Sequence, residues 1–204
     1  MQDKLENIKL TRLIQLLIRL CNGHGVRLAA CVFLVVQFMP ARLLAENENQ
    51  SYEHKIKAAY LYNFTKFTKW PLQQTSEHAG TTFGICILGQ DPLVGAIERL
   101  NDKTTAGYRV VVTIIDNVPQ KNQCQLLYIS QSEKHQLSPV LQAVAELPVL
   151  TVSDMEGFIV EGGCIELAMI NGKVIFNINL QAVQRAQLKM SAQLLELAKV
   201  VIDK

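Results

Sequence analysis

The sequence predicts an α/β fold: a single layered domain with a mixed, mostly parallel sheet of about six strands, a C-terminal β-hairpin and flanking helices. Three observations predict it. β-branched apolar runs alternate with segments of helical periodicity, the order expected of a layered α/β domain. Two apolar runs near the C-terminus are joined by Asn171-Gly172, the strongest short-range hairpin signal. The composition is globular, with 49% hydrophobic and 19% charged residues, which excludes a disordered or low-complexity chain.

The elements follow in order. Ile56, Ala59, Tyr60, Phe64 and Phe67 recur at helical spacing, so residues 53–69 form an amphipathic helix. Trp70-Pro71 stops it, because proline disfavours helix at the residue before it. The polar stretch 72–82 is a surface loop. FGICIL (83–88) is a strand, Gly89 turns the chain, and Asp91-Pro92 opens a helix to about Asn101. YRVVVTII (108–115) and QLLYIS (125–130) are strands, Ser138-Pro139 starts a helix through Glu146, and PVLTVS (148–153) is a short buried strand. The hairpin joins 164–170 to 173–179. Residues 181–202 then carry Val183, Met190, Leu194, Leu197 and Val201 on one stripe, widened by Leu188, Leu195 and Ile202, which predicts one long buried helix.

Residues 1–45 read as a signal peptide and 46–204 as the domain. LAACVFLVVQFM (28–39) is apolar but too short to span a bilayer comfortably; it follows Arg27 and precedes a polar tract after Ala45. Cleavage is expected after Ala45, with an uncleaved membrane anchor as the alternative. Export places the domain in the periplasm, an oxidising space. The 159 residues from 46 onward hold 14 basic and 16 acidic side chains, net −2, a balance that does not suggest a nucleic-acid binder.

Motifs for catalysis are missing from the sequence. His54, His78 and His135 share no metal-like spacing with one another or with a cysteine, so no metal and no cofactor is expected. There is no Cys-x-x-Cys and no Gly-x-Ser-x-Gly. The turn after Gly89 lacks a P-loop lysine and reads as helix capping. The chain is expected not to be an enzyme. The strand ends near Gly89, Ser130 and Asp154 remain able to line a small-ligand cleft.

The hairpin has two unlike faces. Its two-residue turn pairs Ile165 with Ile178, Leu167 with Phe176 and Met169 with Val174, an apolar face that belongs in the core. The other face pairs Cys164 with Asn179, Glu166 with Asn177 and Ala168 with Ile175. That half-polar face is solvated, covered, or a docking surface. Three cysteines remain after the leader. Cys86 falls in the first strand and Cys124 just before the third, so two nearby strands of one sheet could bring them within reach of a disulfide; otherwise all three thiols pack as small hydrophobes.

KAAYLYNFTKFTKWP (57–71), FGICILGQDP (83–92), QCQLLYIS (123–130), PVLTVSDMEGFIVEGGCIEL (148–167) and NGKVIFNINLQAVQRAQLKMSAQLLELAKVV (171–201) together resemble the YfiR family of periplasmic proteins. The resemblance spans nearly all of the domain in order. It implies a repressor that binds the periplasmic sensor region of an inner-membrane diguanylate cyclase and holds down cyclic di-GMP synthesis, and with it biofilm formation. It implies sequestration by an outer-membrane OmpA-like lipoprotein, a homodimer, and redox sensitivity through disulfides. It favours a Cys86–Cys124 disulfide and leaves Cys164 either an inert buried thiol or a free, sensing one. A second intramolecular disulfide has no cysteine left to form it. The family's interaction patch maps by position onto Asn177 and Val183, to which the facing-pair argument adds Glu166. The family usually has Glu where Asn177 stands, so charge at that point differs here. Two other functions compete: a periplasmic small-ligand-binding module, and an envelope-assembly component without a cyclase partner.

Overall fold

The structure is a computed structural model that describes residues 40–71 and 82–203. The chain divides into two units, Met1–Gln50 and Ser51–Lys204. Most of the expected leader, including the apolar run 28–39, and most of the loop 72–82 lie outside the described residues. No helix among the described residues is long and apolar enough to cross a membrane.

Helix α1 runs from Pro40 to Phe67 and therefore begins well before the expected start at 53. Its buried stripe is Lys57–Ala58, Leu61, Phe64–Thr65, with Thr68 just beyond its end. This stripe is rotated from the one read in the sequence, because Ala59 and Phe67 face out. Lysine is tolerated on the inner face because its ammonium meets Asp154 at 2.7 Å and Glu53 at 2.6 Å. Strand β1, Thr68–Lys69, replaces the last expected helical residues. Trp70 then stands edge-on to Phe83, with ring centroids 4.9 Å apart, and donates its indole N–H to the carbonyl of Gln125.

The sheet is built from β2 (Thr82–Leu88), β3 (Thr104–Thr105), β4 (Tyr108–Ile115), β5 (Leu126–Ile129), β6 (Leu150–Ser153), β7 (Ile165–Ile170), β8 (Lys173–Asn179) and β10 (Val200–Ile202). Its order is β10-β8-β7-β6-β5-β2-β4-β3, eight strands where about six were expected. The additions are its two edges, both short. Pairing is parallel except for the β7–β8 hairpin and the β3–β4 pair. A separate antiparallel pair joins β1 to β9, Lys189–Met190.

The central strands are buried on both faces, as parallel strands between helical layers must be. Ile85, Ile87, Leu126, Tyr128, Leu150 and Val152 point into the core that also takes Leu61 and Phe64 of α1. Cys86, Leu88, Leu127 and Ile129 point into a second core, closed by Leu137, Val140, Leu141 and Val144 of helix α3 (Leu137–Val144). The short helix α2 (Val94–Glu98) lies between β2 and β3 in the chain and is shorter than the expected helix from Asp91 to about Asn101: its N-cap is Leu93, and Asp91 instead holds the preceding turn by accepting the Leu93 N–H at 2.7 Å.

The hairpin register is the expected one from Ile165–Ile178 to Met169–Val174. Asn171 and Gly172 both take positive φ, as a type I′ turn requires. The apolar face is buried except at its tip, where Met169 is exposed.

The long C-terminal helix is a correction. Residues 180–202 form α4 (Leu180–Arg185), β9, α5 (Ala192–Leu197) and β10. Gln187 at φ 58° ends the first turn segment, and Leu188 N–H closes back on the Val183 carbonyl at 3.0 Å. Ser191 then caps α5 by accepting the Leu194 N–H. Val200–Ile202, three β-branched residues in a row, pair with Asn177–Asn179 of β8. Breaking the helix leaves Leu197 73% exposed, while Val183 and Leu194 stay in the core.

Candidate functional site

The half-polar face of the hairpin is covered by the chain's own segment between β6 and β7. Glu166 is only 7% exposed. One of its carboxylate oxygens accepts the Ile159 N–H at 3.4 Å, and the other accepts from the Asn177 amide at 3.3 Å. Asn179 donates to the Ile159 carbonyl at 2.8 Å and caps α4 by accepting the Ala182 N–H. Covering the face gives Glu166 and Asn179 backbone partners in place of water, which permits their burial, while the Asn177 amide oxygen is buried without a partner among the described residues.

Of the three residues assigned to partner contact, Glu166 and Asn177 meet on the half-polar face of the hairpin, whereas Val183 packs in the core that takes its apolar face, so they form no single open patch. Glu166 and Asn177 face each other across the hairpin. Val183 is 0% exposed in the core. In this conformation a partner reaches Glu166 only after the covering segment moves.

Cys86 and Cys124 are disulfide-bonded, with Cα atoms 5.7 Å apart. Cys86 lies in β2, and Cys124 just precedes its neighbour β5. Both are buried in the second core. Cys164 is a free thiol and 3% exposed. Burial pushes its pKa up, against hydrogen bonding from Thr151 and the charge of Arg185, which pull it down. A thiol held neutral is a poor nucleophile.

A second polar cluster lies at the C-terminal ends of β2, β5 and β6. The parallel registers carry on from Leu88 beside Ile129 and from Tyr128 beside Val152. This sets Gly89, Ser130 and Asp154 in one row, each one position past its strand. Open α/β sheets bind ligands at such ends. Here Lys57 occupies Asp154, and Gln131 donates to it as well. The Tyr128 hydroxyl donates to Asp91 at 3.2 Å. Burial, then the charges of Asp154 and Asp91, push the Tyr128 pKa far up. The Ser130 hydroxyl is fully buried and has no hydrogen-bond partner among the described residues. Sequence reading placed this row but missed Lys57, whose inward position showed only once α1 was oriented. Among the described residues, no group of three His, Cys, Asp or Glu is arranged to hold a metal ion.

Comparison with known proteins gives three results. A family model described as YfiR/HmsC-like matches residues 54–199. No curated protein matches the chain. Among solved structures, a conserved domain protein from Vibrio cholerae O1 biovar eltor is similar at 8% identity and a TM-score of 0.42, over 58% of this chain and 54% of that one. An ABC domain in complex with L-Trp from Streptococcus pneumonia is similar at 10% identity and a TM-score of 0.40, over 59% and 55%. The chain spans about half the length of each of these two structures.

Proposed function

The chain belongs to the YfiR/HmsC-like family, and from that premise we propose that it is an exported regulator. It binds the periplasmic region of an inner-membrane diguanylate cyclase and represses cyclic di-GMP synthesis. The observation that carries this reading is the family match over 54–199, nearly the whole of the second unit. The buried Cys86–Cys124 disulfide supports the periplasmic assignment, since such bonds persist in oxidising compartments. Residues 1–45 serve as the export signal. The protein acts by binding and not by catalysis. A homodimer and capture by an outer-membrane OmpA-like lipoprotein belong to the same proposal.

The buried Val183 shifts the contact surface outward. Met169 and Ile170 at the hairpin end, with Leu197, Val200 and Val201 on the adjoining edge, are large apolar side chains exposed at one end of the sheet order. Exposed apolar groups gathered in one region mark interaction surfaces. We assign the cyclase contact to this region, with the Glu166–Asn177 pair as its buried support.

The test is cellular cyclic di-GMP after deletion of the gene, restored with an exportable or an export-blocked copy. A rise on deletion that only the exportable copy reverses supports the proposal. No change, with the cyclase expressed, overturns it. Ile170→Asp and Leu197→Asp, in copies that still fold, test the contact surface: failure to restore repression supports it, and full repression by both overturns it.

Small-ligand binding is a second reading, favoured by the buried Ser130 hydroxyl at the strand ends, which has no partner among the described residues. A metabolite that raises the unfolding midpoint of the native protein and not that of Ser130→Ala would favour it.

A further inference from the structure

Away from both clusters, a cleft of about 250 Å³ opens between α3 and α4. Its walls are mixed, with the apolar Leu141 and Val149 beside the polar Ser138 and Gln142, and its floor is Thr151 and Cys164, both buried. Ala182 on α4 and Ala186 at its C-cap, one turn apart, line this side of the cleft with nothing larger than a methyl group. The floor is polar but internally satisfied: the Thr151 hydroxyl accepts the Cys164 N–H at 2.9 Å. A visitor therefore finds Leu141 and Val149 as the apolar part of a mixed wall, above a floor whose Thr151 hydroxyl is already engaged.

Charge enters at the mouth. Arg185 and Glu161 both line the cleft, and both are exposed. Among the described residues, neither belongs to an ion pair within 4.0 Å. The two are not equivalent. A Cβ at Gly162 would meet the Arg185 guanidinium at 3.8 Å, which puts that group beside the loop leading into the floor. The Arg185 charge also acts on the Cys164 thiol at the floor of the cleft.

We propose that this cleft binds a small organic monoanion, with a carboxylate on Arg185 and a short alkyl body between Leu141 and Val149. A guanidinium matches a carboxylate with two parallel N–H donors, and a carboxylate at this mouth gives Arg185 the partner it lacks among the described residues. Glu161 on the same rim repels a second negative group, which sets the preference for a single charge. Leu141 and Val149 remove part of the alkyl chain from water. Such a ligand would bridge α3, α4 and the start of β7, three elements joined here across an open gap.

Calorimetric titration of the full-length protein with hexanoate, hexanol and hexylamine tests this. Saturable hexanoate binding, with hexanol weaker and hexylamine weakest, is the expected order. Arg185→Gln, an exposed change that leaves the unfolding midpoint in place, weakens hexanoate roughly tenfold or more. Ala145→Phe fills the cleft from its rim and abolishes binding of both hexanoate and hexanol. Absence of saturable hexanoate binding, equal binding by native protein and Arg185→Gln, or hexylamine binding as tightly as hexanoate would each overturn the proposal. None of these readouts involves the cyclase, so they stand apart from the regulatory reading.

Discussion

Lys57 shows how one side chain can oppose its surroundings and still be held. Burial works to lower its pKa, but the hydrogen bonds and charges of Asp154 and Glu53 outweigh burial and raise it above the ordinary lysine value. The stability this contributes is complete below the unfolded-state value of 10.5 and is lost as pH rises through the folded-state value. Unfolding midpoints measured between about pH 9 and about pH 11.5 should fall more steeply for the native protein than for Lys57→Met. Parallel curves would show that the pair adds nothing. Asn177 offers a second test. It donates to the buried carboxylate of Glu166, so Asn177→Glu would set two carboxylates face to face. The expected loss is roughly 2 kcal/mol, largely recovered by adding Glu166→Gln. Urea unfolding of the single and double variants checks it. The pairing of these two residues was legible in the sequence because a two-residue turn fixes register. Their burial was not, since the segment that covers them comes from an irregular stretch with no periodicity to read. Gly163 closes that stretch. A Cβ there would collide with the fully buried ring of Phe158, so Gly163→Ala should cost roughly 3 kcal/mol, read as a lowered urea midpoint.

Elements whose signals are local were the ones read correctly. The hairpin is the clearest case, because Asn171-Gly172 encodes its own turn. Gly172 sits at φ 72° with open space where a Cβ would go, so Gly172→Val meets backbone strain and no clash. Its expected cost is roughly 1–3 kcal/mol, again by urea midpoint. The C-terminal segment failed for the opposite reason. Its apolar stripe satisfies helical spacing throughout, yet Val200–Ile202 gain more as an edge strand beside β8 than as a helical turn. Three marks of the break were present: Ser191 as a cap, the polar Gln187 where the chain reverses, and the β-branched run at 200–202. Each is weak alone, and the stripe outvoted them. The rotation of α1 was hidden similarly, since a buried lysine reads as an outward one until Asp154 is seen beneath it.

For the whole molecule, strand–helix alternation was enough to predict layers and a mostly parallel sheet, because both faces of β2 and β5 must be covered. Strand order was not, since the parallel neighbours β2, β4, β5 and β6 are set by contacts distant in sequence. The Cys86–Cys124 bond ties two of these neighbours across 38 residues of chain. In the chain-entropy picture its removal in Cys86→Ser with Cys124→Ser should lower stability by roughly 4 kcal/mol, measurable by urea unfolding without reductant. Both sulfurs lie inside the second core, with Cys86 1% and Cys124 2% exposed. A reductant cannot attack what it cannot touch, so cleavage has to wait for the protein to open. At high dithiothreitol the reduction rate should then level off at the opening rate instead of climbing with concentration. A bond guarded in this way does not follow the redox poise around the finished protein. It is written once, while the strands are still assembling, and afterwards serves as a record of the compartment in which the chain folded.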